Sequence, residues 1–314
     1  WHPQVHMAFS ELVNRLQTRR NQLVKRWQSA QAKLLAARDQ RERPGQDDKV
    51  LTAWNALMIQ GLARAGRFLD LPELIDAAEK AERFIRENLW REGRLLASYR
   101  AGRATLPGYL DDHAFMLAAL IELQQARWSS GREDWAIALG DVLLEQFEDT
   151  EGGGFFFTAN DHETLIQRPK PLTDDALPSG NGVAALALNR LGHWVGDTRY
   201  LHAAEQGVRA AAESIEKSAA AHCALLNALD EILTPPEMVV IKAGSEGQAA
   251  ASEAGAWREV AEAGYHPQRM VFVPDPGAAV VAAPAGESGP GAWVCRGHHC
   301  LPGAETPTEL ADRL

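Results

Sequence analysis

Apolar residues fall in blocks of two alternating kinds. Val50–Phe68, Ala114–Trp128 and Gly182–Val195 are rich in alanine and leucine and apolar on most faces, which predicts three largely buried helices. Each is followed by a block with one apolar face: Pro72–Leu89, Glu133–Phe147 and Thr198–Glu216. Short strand-like pieces, Leu95–Arg100 and Gly154–Thr158, close the first two repeats, and a helix over Ala221–Leu233 takes that place in the third. A carboxylate doublet precedes each buried block: Asp47-Asp48, Asp111-Asp112 and Asp174-Asp175. The step is 64 residues from Asp48 to Asp112 and 63 from Asp112 to Asp175. A buried helix paired with an amphipathic one at fixed period is an array of α/α hairpins.

The strand-like pieces between hairpins favour closure into an (α/α) toroid over an open solenoid. The expected fold is therefore mainly α, a toroid of helical hairpins. Six hairpins at this period need about 360 residues, so half to two-thirds of a ring is expected, with the remainder upstream of Trp1. Inner-helix surface left bare by a missing half would promote self-association. Beyond Pro235-Pro236, strands over Met238–Lys242, Met270–Val273 and Val280–Ala283 and a helix over Ala249–Ala263 predict a small α/β appendage. Ahead of the repeats, Ser10–Gln40 reads as one helix, broken by Arg43-Pro44-Gly45. The expected domains are residues 1–46, a basic helical segment; 47–234, the toroid; and 235–314, the α/β region.

Charge changes this picture little. The 314-residue chain carries 32 Lys/Arg and 42 Asp/Glu, a net of −10, the wrong sign for a nucleic-acid binder. Residues 1–46 hold nine basic and three acidic residues; with no aromatic interleaving they read as a solvated helix face around a narrow apolar stripe. No apolar run reaches the length of about 18 residues that a membrane span needs, so no membrane partner is expected. Three cysteines suit a reducing compartment, no signal-peptide pattern is visible, and a cytoplasmic location is expected.

Several motifs in order resemble the spermatogenesis-associated protein 20 family, whose bacterial members are known as thioredoxin-domain-containing proteins. They are Asp47-Asp48-Lys49-Val50-Leu51-Thr52-Ala53-Trp54-Asn55, Gly108-Tyr109-Leu110-Asp111-Asp112, Gly152-Gly153-Gly154-Phe155-Phe156-Phe157-Thr158, Arg168-Pro169-Lys170, Asp174 through Asn181, and Trp293-Val294-Cys295 to Cys300. The resemblance runs from about Ala32 to the C-terminus. It implies an α/α toroid related to six-hairpin glycosidases and sugar 2-epimerases, preceded in full-length members by a thioredoxin-like domain that this chain lacks. Three positions depart from the family pattern: Ala56 stands where Gly is usual, His113 where Tyr is usual, and Gly182 where Ser is frequent.

The doublets are the candidate chemistry. One carboxylate suffices to cap a helix N-terminus; the surplus carboxylates could bind hydroxyls or move protons. Repeat equivalence places Asp112 and Asp175 on one rim, where mutual repulsion would raise a pKa, and His113 stands beside them as an acid/base group. Asp112, Asp175 and His113 are thus the candidate catalytic residues, with His222 a second candidate base. Trp54, Asn55, Tyr109, Asp111, Asp174, Ser179 and Asn181 are the candidate substrate contacts, since a ring can stack on a sugar face and Asn both donates and accepts. His162 and His193 read as loop or surface residues. Cys295-Arg296-Gly297-His298-His299-Cys300 lacks the second ligand pair of a zinc site and reads as a turn or a reversible disulfide. Cys223 reads as core. No metal and no cofactor are called for. The leading expectation is a carbohydrate-active enzyme, a sugar isomerase or epimerase or a glycosidase-like hydrolase. The alternative is a noncatalytic scaffold or ligand-binding domain serving the thioredoxin-like domain.

Overall fold

A computed structural model describes residues 8–163, 165–242, 247–264, 266–275, 290–297 and 299–314, without the side chains of 247–252. The chain divides into two compact units, Trp1–Asp48 and Lys49–Leu314. In the first, α1 (Phe9–Arg15) and α2 (Arg20–Asp39) replace the single helix expected over Ser10–Gln40. The break is a left-handed residue, Gln17 at φ 46°, behind which the Thr18 N–H closes back on Val13 O in the manner of a Schellman cap.

The second unit begins with a two-residue strand, β1 (Val50–Leu51), and α3 (Thr52–Phe68). There follow α4 (Pro72–Asn88), β2 (Trp90–Arg91), β3 (Arg94–Arg100), β4 (Arg103–Pro107), α5 (Leu110–Ala126) and α6 (Arg132–Val142). Then come α7 (Gly180–Val195), α8 (Thr198–Ala210), α9 (Ala212–Lys217), α10 (Cys223–Leu233), β5 (Glu237–Lys242) and α11 (Gly247–Ala261). The chain closes with β6 (Arg269–Phe272), β7 (Gly291–Arg296), β8 (His299–Cys300) and α12 (Pro307–Arg313).

Helices α3, α5, α7 and α10 pack side by side as an inner layer, and α4, α6 and α8 pair with α3, α5 and α7 outside it. This is the expected α/α-hairpin architecture, seen as an open arc. The sequence pattern assigns the layers correctly. Apart from Asp111, every residue of α5 is buried, as befits a helix apolar all round, whereas α4 and α8 bury single faces. Local signals set the ends. Pro72 opens α4 at a position where its missing N–H is harmless. Ser179 caps α7, its Oγ accepting from Gly182 N at 3.0 Å, and Gly196 ends it at φ 72°. Three boundaries differ from the periodic reading. The α6 block finishes in a π-helical turn, Leu143–Phe147; the α8 block breaks at Ala211; and Gly154–Thr158 forms one bridge, Glu148 with Phe155, instead of a strand.

The small sheet β1-β3-β2, with β4 also on β3, packs at the N-terminal end of α3, where the Thr52 hydroxyl donates to Leu96 O. The C-terminal sheet has order β6-β5-β7-β8. Strand alternation makes it two-sided. Met238, Val240, Met270, Phe272 and Cys295 join the core of the arc, while Val239, Ile241, Val271, Ala292 and Val294 pack with Trp257 and Leu310. Phe272 stacks on Trp194 at 5.2 Å and meets Trp128 edge-on at 6.2 Å. Arg258 donates to the carbonyls of Gln125 and Ala126, closing the end of α5. The expected strand Val280–Ala283 lies outside the described residues; β7 is the strand that pairs with β5 on the side away from β6.

Helices α7 and α10 come close together at Gly182, where a Cβ would stand 2.6 Å from Ala224 Cβ and 2.7 Å from Leu225 N. Backbone cannot yield as a side chain does. Gly182→Ala should therefore destabilise the fold by about 1–3 kcal/mol, read as a lower denaturation midpoint at unchanged cooperativity.

Candidate functional site

The rim residues come first. Asp112, in the first turn of α5, is 4% exposed. Its Oδ2 accepts from Tyr109 N at 2.8 Å and its Oδ1 from Ala53 N at 2.9 Å. One carboxylate thus caps its own helix and clamps the first turn of α3. Asp174 acts alike: Oδ1 accepts from Ser179 N at 2.8 Å and Oδ2 from Ala224 N at 2.9 Å, clamping the first turn of α10. Here the expected equivalence of Asp112 and Asp175 gives way. Asp174-Asp175 lies five residues ahead of α7, not in its first turn. Asp174 is the bridging carboxylate, and Asp175 is exposed.

The other rim residues are held by the backbone as well. His113 is fully buried; its Nδ1 meets Tyr109 O at 2.9 Å and its Nε2 accepts from Leu95 N at 3.3 Å. Burial lowers its pKa to about 4, so the ring is neutral and both nitrogens are engaged. Asn181 accepts from Phe155 N at 2.7 Å and donates to Phe155 O and Pro171 O, each at 2.9 Å. Asn55 turns back to Leu51 O at 2.8 Å. Tyr109 stacks on Phe157 at 4.9 Å and leans on His162 at 5.9 Å. His222 is buried, its Nδ1 against Ser218 O at 2.8 Å and its Nε2 without a partner among the described residues. Trp54 is exposed. Cys223 is exposed too, against the expectation of a core residue, because α10 buries Leu225, Ala228 and Glu231 on its other face. Cys295 and Cys300 pair in register across β7–β8 and form a disulfide.

Asp111 is the exception. Its Oδ1 is buried without a hydrogen bond among the described residues, pressed against Gly180 at the start of α7, where any Cβ would overlap it. Burial pushes its pKa to about 6. Burial likewise raises Asp112 to about 7, against the pull of its two N–H donors and with the help of the Asp111 charge.

None of the ten residues singled out by sequence lines the cleft of about 330 Å³ among α3, α5, α7 and α10. Leu57, Gln60 and Arg64 of α3 form one wall and Asn227, Asp230 and Glu231 of α10 the other. Ala118 and Ile121 of α5 with Val183, Leu186 and Ala187 of α7 form an apolar floor, and Pro267-Gln268 closes one end. Beside it runs an ionic chain with one member from each inner helix, buried except at its Arg64 end. Arg64 pairs with Glu122, which pairs with Arg190 Nη1 at 3.2 Å. Arg190 Nε in turn meets Glu231 Oε2 at 2.9 Å, and its Nη2 donates to Pro267 O at 2.9 Å. Burial alone would raise Glu122; Arg64 and Arg190 hold it below the ordinary carboxylate value. The sequence signal for this chain is faint: one charged residue in the apolar body of each of four helices, at no fixed period. The rule that pointed to the doublets passes over it.

The fold and cleft define an α/α-hairpin protein with a polar-walled concave face. Over about half its length the chain is similar to spermatogenesis-associated protein 20. It is 35% identical over 170 residues to the protein of Rattus norvegicus and 34% over 177 residues to that of Homo sapiens, matches covering 51% and 52% of this chain. Each match spans 22% of the relative's length, so the matched half of this chain corresponds to about a fifth of those proteins. An uncharacterised Caenorhabditis elegans protein is 28% identical over 190 residues, covering 57% of this chain and 25% of its own length. No family model matches the chain. Among solved structures, a cellobiose 2-epimerase of Spirochaeta thermophila is similar with TM-score 0.44 and 19% identity, over 52% of this chain and 43% of that one. A GH76 α-mannanase of Bacteroides thetaiotaomicron is similar with TM-score 0.49 and 13% identity, over 60% of this chain and 53% of that one.

Two expectations follow. The folded state takes up Asp111's proton more readily than the unfolded chain, so the wild type loses stability as pH rises from 3.8 through about 6. Asp111→Asn has no charge to bury, and its stability relative to the wild type should climb across that interval in denaturation series at stepped pH. Arg190→Ala strands Glu231 in the interior and should cost roughly 3–5 kcal/mol, measured by chemical denaturation.

Proposed function

We propose that the Lys49–Leu314 unit is a carbohydrate-binding module whose ligand lies in the cleft between α3 and α10. The observation that carries this reading is the lining: an apolar floor between two polar walls. A sugar ring presents apolar C–H faces and a rim of hydroxyls that both donate and accept. The floor of Ala118, Ile121, Val183 and Leu186 suits the ring face. Gln60 and Asn227, whose amides make no hydrogen bond to the described residues, suit the hydroxyls from opposite sides. Asp230 adds an acceptor and Arg64 a donor. The volume falls at the lower end of ligand sites, about 300–1,000 Å³. On this reading Asp112, Asp174, Ser179 and Asn181 hold helix ends in place and the ligand does not touch them. The noncatalytic partner of a thioredoxin-like domain, implied by the family resemblance, is compatible with such a module.

One observation favours a second, catalytic reading at the rim. Asp111 combines an unpartnered oxygen with a pKa near 6, the properties of a proton donor near neutral pH. Isomerase, epimerase or hydrolase activity that falls with Asp111→Asn and survives Asn227→Ala would select it.

The binding reading is tested by a thermal-shift screen of the whole chain against neutral mono- and disaccharides. At least one sugar should raise the melting temperature, and Gln60→Ala and Asn227→Ala should each abolish the shift without lowering the ligand-free melting temperature. Asp112→Asn should lower the ligand-free value and leave the shift intact. A panel without a hit, or a shift that survives both amide substitutions, overturns the proposal.

A further inference from the structure

Where the ionic chain ends at Arg64, a second cavity of about 290 Å³ lies against the approach to β6. Arg64 and Arg67 of α3, Arg269 of β6 and His266 line it, and Glu122 is the one carboxylate in its wall. Every residue of that wall belongs to the Lys49–Leu314 unit. Each of the three guanidiniums is already anchored. Arg64 donates Nη2 to Glu122. Arg67 donates Nη1 to Gln125 Oε1 at 2.8 Å, lies over the Phe68 ring at 4.6 Å, and has its Nε 3.3 Å from Glu262 Oε1. Arg269 donates Nε to Glu237 at 2.6 Å and Nη1 to Ala261 O at 2.9 Å. A guanidinium has five N–H donors, so these anchors leave some over. Among the described residues, Nη2 of Arg67, Nη2 of Arg269, and Nε and Nη1 of Arg64 make no hydrogen bond. The Arg67 side chain is only 5% exposed. Its Nε and Glu262 Oε1 are both buried without a hydrogen bond, so that ion pair is close but not aligned.

The charge around the cavity is unbalanced even with every pair counted. Arg64, Arg67, Arg190, Arg258 and Arg269 share Glu122, Glu231, Glu237 and Glu262. Five cations thus meet four anions, and Glu237 also serves Arg296 at 2.7 Å. Arg258 has spent its two Nη groups on the carbonyls of Ala126 and Gln125. Burial pushes Arg67 below the ordinary guanidinium value against the pull of Glu122 and Glu262, and the Arg258 and Arg64 charges push the same way. Burial pushes Arg258 down as well, against Glu262. Cations held out of water and outnumbering their partners are stabilised by one more anion.

We propose that this pocket binds a phosphoryl group, held by Arg64, Arg67, Arg269 and His266. Such a group carries about −1.5 to −2 charges at neutral pH and three strong acceptor oxygens. It takes up several of the open guanidinium donors at once, in charge-assisted bonds that are the stronger kind. A carboxylate brings a single charge, and the wall already holds one in Glu122. The pocket adjoins the cleft, because Arg64 and Pro267 line both. Resting on the carbohydrate reading of the cleft, the ligand of the joined site is then a sugar phosphate, its ring on the apolar floor and its phosphoryl group beyond Arg64.

The pocket is tested by titrating the full chain with inorganic phosphate, against chloride at equal ionic strength. The melting temperature should rise and saturate, whereas a general salt effect keeps climbing. His266→Glu sets a carboxylate in the pocket wall. Position 266 is exposed, so the variant should keep the wild-type circular dichroism while its phosphate affinity falls about tenfold or more. Arg83→Ala on the outer helix α4 should leave the affinity unchanged. Arg67→Gln should weaken it too, read by calorimetry well below that variant's own melting temperature so that lost stability is not counted as lost binding. A panel of hexose 1- and 6-phosphates then tests the joined site. At least one should bind about tenfold or more tighter than inorganic phosphate and lose that gain with Asn227→Ala. A phosphate response that never saturates, or that His266→Glu leaves intact, overturns the proposal while neutral-sugar binding would still uphold the carbohydrate reading. Glucuronate binding tighter than every hexose phosphate overturns the choice of a phosphoryl group. Saturable phosphate binding that His266→Glu removes, with no gain from any hexose and no neutral-sugar hit, upholds the pocket and overturns the carbohydrate reading.

Discussion

Four side chains from four helices, Arg64, Glu122, Arg190 and Glu231, form one line of alternating charge across the inner layer, buried in all but Arg64. Glu122, Arg190 and Glu231 are buried, and Arg64 reaches in from the surface to Glu122, so each buried ion needs its neighbours. Glu122 takes a guanidinium from either side, and Arg190 divides its donors between Glu122, Glu231 and Pro267 O. Apolar helices can slide along one another at small cost. A charge buried at one height cannot, because a shift of one turn leaves its partner stranded. The line therefore fixes the relative height of α3, α5, α7 and α10, which is also what brings Gln60 and Arg64 opposite Asn227 and Asp230.

The opposite end of the same helices is held by a different device. Asp112 and Asp174 each take an N–H from the first turn of a neighbouring inner helix. An unpaired helix N-terminus carries orphan donors, and a carboxylate that satisfies one on the next helix converts a local need into a tertiary bond. His113 adds a third tie, from α5 to β3. With both ends fixed, the apolar middle of the layer can be small: Ala56, Ala63, Ala114, Ala119, Ala184 and Ala187. Small residues bring the helix backbones close together, and at Gly182 the approach leaves no room for a side chain.

The hairpin order, the inner and outer assignment and the C-terminal strands β5 and β6 were legible because burial writes a period into the sequence, and α5 and α8 show its two extremes. Helix ends were read less well, since α6 runs on as a π-helical turn and α8 stops six residues short of Glu216, where α9 takes over. The rim was legible as chemistry and less so as geometry. Counting residues from Asp112 to Asp175 assumes that each repeat has the same loop ahead of its inner helix. The stretch from Gly152 to Pro178 breaks that rule. It is organised around Asp149, which takes Lys170 Nζ at 2.6 Å and the N–H of Gly152 at 2.9 Å, and around Arg168, which lies 4.1 Å over the Phe156 ring. The motif that resembles the family, three glycines and Arg-Pro-Lys, is thus a loop lock. The ionic line was invisible for another reason: its members are 58, 68 and 41 residues apart, and only the fold makes them neighbours.

The α/β layer is tied into this arrangement by more than its apolar face. Arg190 ends on Pro267 O, Gln268 donates to Asp230, and Gln125 receives both Arg67 at 2.8 Å and Val271 N at 3.2 Å. Pro267 and Gln268 belong to the approach to β6, and they close one end of the cleft. One end of the ionic line and one wall of the cleft thus depend on a segment that lies past the last hairpin in the sequence. A hairpin array alone would leave Arg190 with an unfilled donor and Asp230 free in solvent. With the layer docked through Phe272 against Trp194 and Trp128, the donor is filled and the carboxylate is oriented along the wall. Hairpins supply the floor and the walls; the α/β layer sets the position of the charged groups that give the cleft its polarity.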